Sequence, residues 1–430
     1  MKLVYVSDNR TGVNWGCRAT SFALDELLRE KNEIVYTVFR EEKFRKVMWS
    51  DNAWLTQHAA AVLNSPAANR LAERAQRSII NKFSRRRIFI EDYVSFDTDR
   101  ATDRFEKLTR IDPKYAEIKD AVEASEGIVI NGEGDFIQNP ARRTMQFLLV
   151  MINYAKRKNR KIYLVNTIYS PCPVNGSPHH VVQSMLNEMR KCDRIFVRDN
   201  SSKKLLNAAG LNEHVEYVPD ALFTWVKYLA PEFRQNIKYG SSILPHPYDH
   251  FFGNLDFTQP YICVAGSSAD MRNSKGTIVS AFVKLVKALQ KIARVYLVNP
   301  GTDFFLDEIF KQTGAFVIPN TTPVLLGATV LANASLFVSG RYHPSVMAAC
   351  GGTPLICFES NSHKMESLQD LMQCQPVTKY PMEITDDQIF EIAKSAARII
   401  GDRGLREKIL KQAIDNSEYV KKFYNQLTAN

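Results

Sequence analysis

Short apolar runs alternate with amphipathic stretches along most of this chain. Lys2–Ser7, Glu33–Phe39, Gly127–Ile130, Lys161–Val165, Arg194–Val197 and Val215–Val218 read as buried strands. Between them, Cys17–Arg29, Tyr115–Ala124, Met145–Arg157, Val181–Arg190 and Ser201–Ala208 carry apolar residues at helical spacing. Such alternation predicts βαβ units and a parallel sheet covered on both faces. The rhythm breaks over about 41–110, a basic, aromatic and helical stretch that reads as an insertion over the first domain. It weakens again from Phe223 to Gln259, where Pro231, Gly240, Pro245, Pro247 and Gly253 mark a connection. The pattern then restarts. Strands are expected at Tyr261–Ala265, Ala293–Val298, Phe316–Ile318, Leu336–Val338 and Pro354–Phe358. Helices are expected at Ile278–Leu289, Phe304–Lys311, Val324–Ala332, Pro344–Cys350, about Asp386–Ile400 and Leu405–Leu427.

A chain of 430 residues exceeds one typical core. The expected fold class is therefore α/β, with two doubly wound domains facing a cleft. The expected boundaries are 1–225 for the first, 226–259 for the connection and 260–430 for the second. In such sheets ligands bind outside the carboxyl ends of the strands, where the topology switches. The residues just after strands are thus the ones to read for chemistry.

Composition narrows the class without choosing a ligand. No stretch approaches the roughly 20 apolar residues that span a bilayer. The opening Met1–Asp8 turns polar too early for a signal peptide and is expected to be a short buried strand. Seven cysteines without C-x-x-C spacing give neither a disulfide framework nor a metal pattern, which suits a reducing, cytoplasmic setting. The net charge of +10 favours anionic partners. Arg70, Arg74, Arg77, Lys82, Arg85, Arg86 and Arg87 concentrate that charge. They form either a solvated helix face or a peripheral contact with the inner face of a membrane, or with an anionic acceptor. No interleaved aromatics or recognised motif points to nucleic acid.

Four post-strand segments carry candidate chemistry. Gly12 and Gly16 flank Asn14-Trp15 at a helix start, where free N–H groups suit an anion or a sugar hydroxyl; a tight turn explains them equally well. Asn131-Gly132-Glu133-Gly134-Asp135 places two carboxylates at a strand end, able to take protons from hydroxyls; otherwise they are exposed acids in a turn. Arg198, followed by Asp199, can fork onto a carboxylate or phosphate, or simply pair with its neighbour. Ser339-Gly340-Arg341-Tyr342-His343-Pro344 joins a cation, an imidazole and a helix N-terminus, an arrangement suited to an anion that must also receive a proton. Lys364, after the next strand, can add positive charge. His179-His180 and His246/His250 read as loop histidines, and no His, Cys or acidic cluster has metal-ligand spacing.

Taken in order, these segments resemble the polysaccharide pyruvyl transferase family. The match is carried by Asn14-Trp15-Gly16, Asn131-Gly132-Glu133-Gly134, Val197-Arg198-Asp199, Pro219-Asp220-Ala221, Ser339-Gly340-Arg341-Tyr342-His343, Gly352-Thr353-Pro354 and Lys364. Glu133 departs from the family's plainer glycine cluster, and Cys17 stands where Asp is common. The resemblance implies two Rossmann-like domains of the glycosyltransferase-B type. It implies transfer of pyruvate from phosphoenolpyruvate to a sugar of a surface polysaccharide or its lipid-linked precursor, closing a cyclic ketal. Phosphoenolpyruvate would be a co-substrate, and no cofactor or metal is required. Under that reading His343 is the acid, with Glu133 or Asp135 as base. Arg341, Tyr342, Arg198 and Lys364 bind the donor, and Asn14, Trp15, Gly16, Asn131 and Gly132 bind the acceptor. The first domain would then be the acceptor side and the second the donor side. The alternative on the same architecture is a glycosyltransferase using a nucleotide sugar, in which Arg341 and Lys364 hold the donor phosphates.

Overall fold

The computed structural model describes residues 1–39, 95–110, 112–138, 143–171, 178–230, 255, 257–269, 275–301, 303–374 and 376–428. The Arg70–Arg87 stretch, most of the connection and His246 and His250 lie outside the described residues.

The first domain runs β1 (Lys2–Asp8), α1 (Trp15–Arg29), β2 (Glu33–Phe39), α2 (Thr98–Leu108), α3 (Pro113–Ala124), β3 (Gly127–Glu133), α4 (Arg143–Arg157), β4 (Lys161–Thr167), α5 (His179–Met189), β5 (Arg194–Val197), α6 (Asn200–Ala208) and β6 (Val215–Tyr217). A 3-10 turn, Ala221–Trp225, and the short α7 (Val226–Leu229) leave it. The second domain runs β7 (Tyr261–Ser267), α8 (Lys275–Gln290), β8 (Arg294–Val298), α9 (Leu306–Thr313), β9 (Val317–Ile318), α10 (Val324–Asn333), β10 (Leu336–Gly340), α11 (Tyr342–Cys350), β11 (Leu355–Cys357), α12 (Lys364–Leu371), α13 (Asp386–Ile399) and α14 (Arg403–Asn425).

Among the described residues all strand pairs are parallel, in the orders β2-β1-β3-β4-β5-β6 and β11-β10-β7-β8-β9. The first sheet switches direction of growth between β1 and β3, the second between β7 and β10. These are the two places where the helices leave on opposite faces and a crevice opens.

Period-two alternation assigns each strand residue to a face. Leu3 and Tyr5 point inward with Tyr261, Cys263 and Phe337 into one apolar cluster shared by both domains. Val4 and Val6 point outward into the core under α2–α5, and Ile262 and Val264 into the core under α8 and α13. Each fully buried large apolar side chain adds roughly 1.5–3 kcal/mol. The shared cluster therefore couples the two domains strongly.

Several boundaries differ from the pattern. β3 continues through Asn131 and Gly132 to Glu133, which pairs with Thr167 of β4; β10 continues to Gly340, which pairs with Ser267 of β7. Backbone ladders are indifferent to side-chain polarity, so strands outlast their apolar runs where the polar ends find partners. His179 and His180 open α5 rather than a loop. α11 begins at Tyr342, two residues before Pro344. Residues 98–108, inside the expected insertion, form α2, whose Phe105 packs edge-on to Tyr115 and Tyr154 in the first core. α14 does not stay with the second domain. It crosses back so that Phe196 of β5 meets Phe423 and Tyr424, and Arg194 donates to the Gln426 carbonyl at 2.9 Å.

Candidate active site between the two sheets

At the first switch point the backbone is strained and the side chains are polar but buried. Ser7, Glu133 and Asn166, at the ends of β1, β3 and β4, adopt φ of 74°, 35° and 54°. Left-handed backbone costs non-glycine residues about 1–3 kcal/mol each and persists only where the surroundings impose it. Here a hydrogen-bond network does so. Glu133 Oε1 accepts from Asn9 Nδ2 (2.7 Å), Asn131 Nδ2 (2.9 Å) and Ser21 Oγ (3.3 Å). Asn166 Nδ2 donates to Thr20 Oγ1 at 3.0 Å and lies 3.4 Å from Asn131 Oδ1. Thr20 Oγ1 in turn donates to Asp220 Oδ1 at 2.8 Å.

Asp220 is the hub where the domains meet. It has no solvent exposure and caps the 3-10 turn through Leu222 N–H. Its Oδ2 takes Arg198 Nη1 at 2.9 Å, and His343 Nε2 stands 3.2 Å away. Burial alone would raise its pKa; the charge and hydrogen bond of His343, with Arg198, outweigh that and hold it well below the usual carboxylate range. Arg198 is buried, its guanidinium carbon 4.4 Å from the Tyr342 ring centroid and its Nη1 3.1 Å from His343 Nε2. Burial, assisted by Asp220, pushes the Tyr342 phenol well up, so that ring is a neutral platform for the cation.

Asn14, Trp15 and Gly16 form the other half of this joint. Asn14 Oδ1 caps α1 through Gly16 N–H at 2.8 Å. Trp15 is fully buried; its backbone N–H reaches the Pro300 carbonyl and its indole N–H the Asn320 carbonyl, both in the second domain. Gly16 lies directly under His343. A β-carbon there would stand 2.5 Å from His343 Cβ, so only glycine lets the two helix starts approach.

The second switch point holds the remaining candidates. Arg341 forks onto Asp303 through Nε and Nη2, and Asp303 also accepts from Gly266 N–H at 3.2 Å. Lys364 is buried and donates to Asn361 Oδ1 at 2.7 Å. A second carboxylate–imidazole pair crosses the domains here. Asp199 caps α6 through Ser202 N–H and stands 2.9 Å from His363 Nε2.

Of the residues marked by sequence, Asn14, Trp15, Gly16, Arg198, Tyr342 and His343 meet at one joint. Asn131 and Glu133 connect to it through Asn166, Thr20 and Asp220. Gly132 packs on Thr167, whose Oγ1 a β-carbon there would strike, and Asp135 accepts from Thr144 Oγ1 at 2.8 Å. Arg341 and Lys364 lie on the second domain's side, each with a protein acceptor. Sequence reading assigned no role to Asp220, Asp303, Thr20, Asn166 or the Asp199–His363 pair. Asp220 and Asp303 both follow strands, so the strand-end rule pointed to their positions but not to their partners. Among the described residues no group of three or more His, Cys, Asp or Glu side chains could hold a metal ion, and no helix is long and apolar enough to cross a membrane.

Two doubly wound domains with facing switch points define the glycosyltransferase-B type of fold. Solved structures share it. Medicago truncatula UGT71G1 complexed with UDP-glucose aligns with a TM-score of 0.52 at 12% identity, over 100% of this chain and 98% of its own. The UDP-GlcNAc 2-epimerase of Methanocaldococcus jannaschii, in complex with UDP-GlcNAc and UDP, aligns at 0.52 and 12% over 94% of each chain. That of Neisseria meningitidis, bound to UDP-GlcNAc, aligns at 0.51 and 10% over 98% of this chain and 100% of its own. At these identities the likeness is one of fold. No curated protein matches the chain in sequence. The family model for polysaccharide pyruvyl transferase matches residues 16–362, most of the chain, and the protein belongs to that family.

Proposed function

We propose that this transferase moves a pyruvyl group from phosphoenolpyruvate to a sugar of a cell-surface polysaccharide, or of its lipid-linked precursor, and closes a pyruvate ketal. The observation that supports this best is the joint of His343, Arg198 and Asp220. It sets an imidazole of the second domain against a buried carboxylate and a buried guanidinium of the first.

In the proposed reaction, His343 protonates the methylene carbon of the enol, making it a methyl group and the central carbon electrophilic. A sugar hydroxyl attacks that carbon and gives its proton to Glu133 or Asp135. The bond from the central carbon to the phosphate oxygen then breaks. A second hydroxyl attacks the same carbon, and its proton leaves with the inorganic phosphate. Arg341 and Lys364 offer charge to the donor's carboxylate and phosphate, with Asp303 and Asn361 holding them beforehand. Arg198 is more deeply buried and acts here through His343. Asn131, Gly132, Trp15 and Gly16 are packed inside the protein, with Asn14 half-buried, and would shape the acceptor side from behind rather than touch the sugar. The basic stretch Arg70–Arg87 would bring the protein to the inner membrane face, where lipid-linked glycans are presented.

The test is incubation with phosphoenolpyruvate and lipid-linked or free oligosaccharide acceptors, followed by phosphate release and mass spectrometry. The expected product is heavier by a pyruvate ketal. Turnover of nucleotide sugars instead, with no phosphoenolpyruvate consumed, would replace this reading with a glycosyl transfer.

A further inference from the structure

A fully buried carboxylate stands between the proposed acid and a buried arginine, and pyruvyl transfer by itself does not require one. We propose that Asp220 is a positioning residue: from the first domain it accepts the Nε2–H of His343 in the second and so fixes the tautomer and orientation of the imidazole. The kinetic consequence rests on the pyruvyl-transfer reading; the placement of the hydrogen does not.

The carboxylate cannot turn. Oδ1 is held by Thr20 Oγ1 (2.8 Å) and Leu222 N–H (3.0 Å), and Oδ2 by Arg198 Nη1 (2.9 Å). Thr20 is itself fixed by Asn166, at 3.0 Å. An ionised carboxylate only accepts, so the hydrogen between Asp220 Oδ2 and His343 Nε2, 3.2 Å apart, belongs to the ring nitrogen. A bare Nε2 could accept from Arg198 Nη1 at 3.1 Å. Its lone pair would then face the carboxylate charge at 3.2 Å. Nδ1 lies on the ring edge toward Gly16, where a β-carbon would stand 2.7 Å from it. Among the described residues, the ionisable groups in contact with the ring are Asp220 and Arg198 from the first domain and Tyr342 on its own helix. α1 presents Gly16, and Tyr424 of α14 feels the charge of Asp220 from behind. Because the carboxylate and the imidazole belong to different domains, the acid is assembled only when the domains are joined.

Asp220 favours the imidazolium and Arg198 opposes it. Removing the carboxylate charge should therefore make the protonated ring less favourable. The reaction needs the protonated ring, so the high-pH limb of kcat should move to lower pH. Turnover should fall about 100-fold or more, with the KM for phosphoenolpyruvate within about threefold of its starting value. A merely structural carboxylate would reduce folded protein and leave the limb in place.

The experiment is nitrogen NMR of the full chain labelled at histidine, with His343→Gln identifying the resonance. The expected result is a neutral wild-type ring protonated at Nε2 and bare at Nδ1, and a lowered titration midpoint in Asp220→Asn. A wild-type ring protonated at Nδ1 would overturn the inference even if Asp220→Asn did not fold. An unmoved midpoint in folded Asp220→Asn would overturn it too. Kinetics separate the two readings. If the wild type turns over phosphoenolpyruvate and Asp220→Asn matches its kcat and pH limb, Asp220 loses its role and pyruvyl transfer stands. If the wild type never consumes phosphoenolpyruvate, pyruvyl transfer falls and the NMR result alone judges Asp220.

Discussion

Replacing Gly16 with alanine tests the domain joint through one methyl group. That methyl would lie 2.5 Å from His343 Cβ, 2.7 Å from Nδ1 and 2.9 Å from Cγ. Carbon contacts settle at about 3.5–4.0 Å, so the starts of α1 and α11 must part by about 1 Å. The His343–Asp220 contact, now 3.2 Å, would then stretch to about 4 Å, outside hydrogen-bond range. Overpacking of this kind costs about 1–3 kcal/mol. A misplacement of about 1 Å can cost about 100-fold in rate. The expected variant is folded, melts a few degrees lower and turns over about 100-fold more slowly. Calorimetry and phosphate release measure the two effects. Gly276→Ala is the control, since among the described residues nothing lies within 4 Å of a methyl there, at the start of α8, and its melting should stay near native. A Gly16→Ala protein with native melting and native turnover would mean that the two helix starts do not meet as described.

His343→Ala should lower the single-turnover rate by about 100- to 10,000-fold while phosphoenolpyruvate affinity changes little, because a general acid acts mainly in the transition state. Arg341→Ala should weaken donor binding, and Arg341→Lys should restore only part of it, since Lys lacks the planar fork; calorimetric titration with phosphoenolpyruvate decides both. Arg406→Ala should cost about 2–4 kcal/mol in urea unfolding, because its guanidinium serves the carbonyls of Ala332, Ala334 and Gly351 at the ends of α10 and α11. The depressed pKa of Asp220 adds stability that is present above the unfolded carboxylate pKa, near 4, and is lost as the pH falls below it. The urea midpoints of the wild type and Asp220→Asn should therefore converge in acid; a pH-independent gap would contradict the linkage.

Local pattern alone determined most of the strand and helix sequence, though not the helices Thr98–Leu108 and Lys364–Leu371, because burial on two faces writes apolar runs and burial on one face writes a helical stripe. It also located the carboxyl ends of the strands to within a few residues, and with them Arg198, Glu133, Arg341 and His343. Partnership was decided only by the fold. Asp220 and His343 stand 123 residues apart in sequence, and no local spacing connects them. The same holds for Arg341 with Asp303, Asp199 with His363, and Gly16 beneath His343. The strand ends past Ile130 and Val338 were hidden for a related reason. Their residues are polar, and only the buried network makes a strand there tolerable. The return of α14 onto β5 was likewise beyond local reading. Its apolar stripe announces a buried face, and a stripe cannot say which domain will cover it.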